Sequence, residues 1–82
     1  MYRIYTEDVN RAGIENIIKS RVSSFTIIPA IGYWNDKREN SLIIEFANSK
    51  LHSVEIVAEL IKQANNQESV LITETEETVR FV

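Results

Sequence analysis

An α+β fold, with two amphipathic helices over one face of a four-stranded antiparallel sheet, is predicted by three observations in this sequence. Apolar residues alternate in four short stretches spread along the chain. Between the first and second of these, and again between the third and fourth, apolar residues recur at helical spacing. The second and third stretches, Ser24 to Trp34 and Ser41 to Ala47, are β-branched runs on either side of the polar segment Asn35-Asp36-Lys37-Arg38-Glu39-Asn40. That is the pattern of one long hairpin.

Tyr2, Ile4 and Thr6 alternate with Arg3 and Tyr5, which predicts a short first strand stopping at Glu7-Asp8. Asp8 or Thr6 can then cap a helix over residues 9–21. Ile14, Ile17, Ile18 and Val22, with Val9 at the start, share its apolar face, while Arg11, Glu15, Asn16 and Lys19 point away. Gly13 weakens this helix by roughly 1 kcal/mol relative to Ala unless a strand packs closely there. Pro29, inside the second strand, cannot donate to a ladder and predicts an edge position or a bulge. After Asn48-Ser49 the period returns to that of a helix. Leu51, Val54, Val57, Ala58, Ile61 and Ala64 lie on one face, with Glu55, Glu59 and Lys62 opposite. Asn65-Asn66 suits the end of this helix, where a left-handed residue is tolerated. From Ser69 the chain is extended again, through Val70, Leu71 and Ile72. The rest reads either as one long strand or as a strand followed by a short fifth one at Val79-Arg80-Phe81-Val82. The order β-α-β-β-α-β is the split βαβ, or ferredoxin-like, arrangement, in a single domain over residues 1–82.

Composition narrows the function classes. Of the 82 residues, 44% are apolar and 26% charged, a globular balance, and the chain is short enough that its core must be thin. Without cysteine there is no disulfide, thiolate nucleophile or thiolate metal site, which suits a reducing cytoplasm. No basic segment followed by an apolar one opens the chain, and no apolar run approaches ~20 residues, so neither secretion nor a membrane span is expected. A net charge of −3 with scattered Lys and Arg gives no attraction for phosphate backbones, and nucleic acid is not an expected partner.

The hairpin is apolar on both sides. Phe25, Ile27, Ile31 and Tyr33 alternate with Ile28, Ala30 and Trp34, and Leu42, Ile44 and Phe46 oppose Ile43. Two helices cover one face only, so the other face predicts sheet-to-sheet or edge association and a homo-oligomer.

The layout over residues 2–82 resembles the trimeric CutA and PII-type families. The likeness lies in the hairpin GYWNDKRENSLIIEF with a Trp near its tip, the helix after it, and the polar turn NNQESV feeding the last strand. This resemblance implies a homotrimer with clefts between subunits. The His-Pro-Tyr-Glu type turn of CutA proteins is replaced here by Asn66-Gln67-Glu68-Ser69, so only Glu68 carries over and no copper-type site is implied. The hairpin tip is also too short to be the long nucleotide-linked loop of PII proteins.

The remaining chemistry is sparse. His52, the only histidine, has no second His or Cys beside it and reads as a surface or capping residue. Glu74, Glu76 and Glu77 read as a solvated strand edge rather than a cation site. Glu45, flanked by Ile44 and Phe46, is expected to pair with Arg3 or Arg80. Two glycines make no phosphate loop, and one His makes no nucleophilic triad. The cluster with binding character is Tyr33, Trp34, Arg38 and Glu39, which suits a small anionic or planar ligand, or else anchors a neighbouring subunit through Trp34. The expected function is non-enzymatic ligand binding or regulation, with Tyr5, Arg11, Trp34, Arg38, Glu39, Gln67 and Glu68 lining the clefts. The alternatives are an adaptor that adds a strand to a partner sheet, and a small oligomeric enzyme with Glu39 or Glu45 as base. No cofactor is indicated.

Overall fold

A computed structural model describes residues 1–76 and 80. Its elements run β1 (Tyr2–Glu7), α1 (Arg11–Lys19), β2 (Thr26–Trp34), β3 (Lys37–Phe46), α2 (Leu51–Ala64) and β4 (Leu71–Glu74). The four strands form one sheet in the order β2-β3-β1-β4, with every pair antiparallel. This is the expected α+β, βαββαβ layout. The fifth strand expected at Val79–Val82, and Glu77 of the acidic run, lie outside the described residues.

Register decides which side chains meet. Ile27, Ile44, Ile4 and Ile72 are partners in sequence across β2, β3, β1 and β4 and form an unbroken isoleucine row. On the same face Thr6 pairs with Leu42 and Tyr2 with Phe46. The helices cover this face: Ile14 and Ile18 of α1, and Val54, Val57, Ala58 and Ile61 of α2, are buried with Ile4, Leu42, Ile44 and Phe46. Val9, Leu51 and Ala64 belong to the helical pattern by spacing but are exposed at the helix ends.

The element boundaries differ from the expected ones for local reasons. The hairpin closes in two residues, Asn35 (φ 52) and Asp36 (φ 63), both left-handed as a type I′ turn requires. Lys37–Asn40 are therefore strand, not tip. Helix α1 starts at Arg11 because Asn10 (φ 57) turns left-handed before it, with no side-chain cap. Asp8 instead binds Arg11, through Nε to Oδ1 at 3.3 Å and Nη2 to Oδ2 at 2.6 Å. The close neighbour of Gly13 is the Asn10 side chain, which a Cβ there would meet at 2.3 Å, rather than a strand. Pro29 lies on β2, an edge strand, where its missing N–H leaves no ladder bond unmade. Among the described residues no helix is long and apolar enough to cross a membrane.

Candidate functional site

Among the described residues no element covers the face away from the helices, and its rows follow from the same register. Ile28, Ile43, Tyr5 and Leu71 are partners across all four strands and make a second apolar row. Ile28 remains 38% exposed and Leu71 47%. On one side of this row Arg3 donates from Nε to Glu45 Oε2 at 2.6 Å, a cross-strand pair with both side chains about a quarter exposed. On the other side lie Ala30, Ser41 and Glu7, then Gly32 opposite Glu39.

Trp34 caps that end. Its indole folds back over Gly32, where a Cβ would come within 2.8 Å of Nε1 and 3.2 Å of Cε2. Nε1 donates to Glu39 Oε2 at 2.7 Å, and Ser41 Oγ donates to the same oxygen at 2.9 Å. The glycine makes room for the ring, and the carboxylate fixes its direction. β2 and β3 extend past the end of β1, so this Trp stands on an arm above the sheet.

Facing the arm is the turn after α2. Gln67 N–H donates to Lys62 C=O at 3.0 Å and Asn66 N–H to Gln63 C=O at 3.3 Å, around Asn66 at φ 52. These are the two bonds of a Schellman motif. The turn is fastened to β1 by Thr6 Oγ1, 3% exposed, donating to Gln67 Oε1 at 2.7 Å. Asn65 Nδ2 donates to Val9 C=O at 3.3 Å. Between arm and turn, where β4 stops short of the end of β1, lies an open cleft of about 520 Å³.

Five of the expected site residues, Tyr5, Trp34, Glu39, Gln67 and Glu68, line this cleft together. Arg11 and Arg38 do not. Arg11 is held by Asp8, whose hydrogen bond and charge raise the guanidinium pKa above its usual value. Arg38 pairs in register with Tyr33 and lines a neighbouring hollow with Asp8, Val9, Trp34 and Glu39. Sequence reasoning missed Thr6, Glu7, Asn35, Asn65 and Ser69, which also line the cleft. It missed Gly32 and Ser41 as supports of the indole. The polar Thr6 at a core position was the available signal for a buried tether. His52 is exposed at the start of α2, and among the described residues no group of three His, Asp or Glu is placed to hold a metal ion. What the arrangement supplies chemically is recognition: two aromatic rings, several amides and three carboxylates. Comparison with models of known protein families finds none that matches this chain, and comparison with curated proteins finds none that is significantly similar.

Proposed function

We propose that this chain is a non-enzymatic small-ligand-binding or regulatory module whose copies associate through the uncovered sheet face, with the cleft at the junction between subunits. The observation that carries this reading is that row and cleft share residues. Tyr5 and Leu71 belong both to the apolar row and to the cleft wall, so whatever covers the row also roofs the cleft. The polar groups beside the row favour a second copy over a charged partner, because Arg3 and Glu45 already pair with one another. Such groups enter an interface without stranding a charge. A trimer is the assembly that the CutA and PII-type resemblance implies, and the cytoplasm is the compartment that a cysteine-free chain suits.

Native mass spectrometry tests this reading. A multimer that falls to monomer in Ile43→Asp, and that carries a small-molecule mass released by gentle activation, is the expected result. A bare monomer at high micromolar concentration overturns it. A second reading, strand addition by a partner protein, is favoured by one feature: among the described residues, Lys37–Glu39 have a strand neighbour on the β2 side alone. Under that reading an extended peptide protects the amides of Lys37–Asn40 from hydrogen exchange, while Ile43→Asp has no effect.

A further inference from the structure

We infer that the cleft takes a small organic ammonium cation, stacked against Trp34 and held by carboxylates, rather than an anion. This rests on the cleft being a ligand site and specifies what it binds. The cleft wall carries Glu7, Glu39 and Glu68, and no Lys, Arg or His among the described residues. The cations near Trp34 stand outside this wall. Arg11 is engaged by Asp8, and Lys37, the cross-strand partner of Trp34, lines with Arg38 the neighbouring hollow, with which the cleft shares Trp34, Glu7 and Glu39. An anion in the cleft would therefore meet like charge without a counter-ion. A concave wall of one sign focuses its field inward, so a cation gains there.

The aromatic groups make the preference chemical as well as electrostatic. Trp34 is held by its hydrogen bond to Glu39 and remains 45% exposed, so its ring is positioned and available. Tyr5 lies across the same cleft. An ammonium group over such a ring is attracted by its quadrupole, most strongly for Trp, and gains further from a carboxylate beside it. Glu39 holds Trp34 and Ser41 through Oε2 alone, and Oε1 has no donor among the described residues. A bare metal ion fits poorly, since the acidic side chains are not gathered as a metal-binding group. A volume of about 520 Å³ suits an amine with a body of its own.

Trp34 is the only tryptophan, so its emission comes from a single ring on the wall of this cleft. The experiment titrates the full chain with tetramethylammonium, putrescine, acetate and inorganic phosphate, following Trp34 emission and confirming each binder by calorimetry. The expected result is a saturable change with the two ammonium probes, weakened by added salt and reduced roughly tenfold in Glu68→Gln, an exposed site whose substitution leaves the core intact. Saturable binding of phosphate or acetate, with no response to either ammonium probe, overturns the cation assignment but keeps the cleft as a ligand site. No response to any of the four, in protein that native mass spectrometry finds free of bound mass, overturns both.

Discussion

The two faces of the sheet carry the same kind of row and meet opposite fates. Ile27, Ile44, Ile4 and Ile72 run across the helix side, and Ile28, Ile43, Tyr5 and Leu71 across the other, each residue of one row adjacent in sequence to a residue of the other. Ile4 and Ile44 are completely buried, while Ile28 and Leu71 are more than a third exposed. Hydrophobicity alone therefore does not decide burial in this chain. Two helices can cover one face, and the second row is surplus to what a lone subunit can bury. Surplus of this kind is what the proposed association of copies would cover.

The neighbours Ile44 and Ile43 break the comparison most sharply. Ile44→Ala leaves a cavity in the shared core and is expected to lower unfolding stability by about 2–5 kcal/mol, read from the urea midpoint. Ile43→Ala removes the same atoms from the open face and is expected to lower the stability of the single chain by less than about 1.5 kcal/mol. Equal losses at the two positions would mean that the open face is packed within a single subunit.

Gly32→Ala comes next. Its Cβ would intrude on Trp34 and Ser41, and only side chains need yield, so a cost of about 1–3 kcal/mol is expected, together with a red shift in tryptophan emission as the indole swings free of Glu39. Unchanged emission would show that the ring does not lie over Gly32. Glu45→Gln removes the charge from the partly buried pair with Arg3 and is expected to cost about 1 kcal/mol, less at high salt. The corresponding change at exposed Glu68 should leave stability unchanged.

Tyr2, on the helix side opposite Glu74, gives the smallest effect. Partial desolvation, then the Glu74 carboxylate, raise its phenol pKa above 10. A raised value means that the folded state favours the protonated phenol. Its contribution is full below pH 10 and is lost as pH climbs through the folded value. Tyr2→Phe is expected to flatten that alkaline decline in a pH series of thermal melts, and an identical decline in both proteins would place the titration elsewhere.

The fold was legible because period and turn chemistry agree: Ile14 and Ile18 at helical spacing, Val54 through Ile61 likewise, and alternation in the strands. The two rows were legible only as a suspicion of apolarity on both sides, since register needs the turn length. Reading 35–40 as a polar tip hid that Glu39 stands opposite Gly32, and with it the carboxylate that orients Trp34. The same reading put Arg38 in the cleft with Trp34, whereas Arg38 stands opposite Tyr33 and shares with Trp34 and Glu39 the neighbouring hollow. The cleft's far wall comes from a turn nearly thirty residues further along the chain, and no local pattern links Gln67 to Thr6.

The left-handed pair Asn35-Asp36 also bears on the order in which the chain assembles. β2 and β3 need to close only a two-residue loop, an event of microseconds, whereas pairing Tyr2 with Glu74 must bring together segments separated by almost the entire chain. The arm that carries Trp34 is thus cheap to form and β4 expensive. The cleft, which needs both the arm and the turn before β4, is completed late, so a partly folded chain has its tryptophan in place before it has a pocket to put beside it.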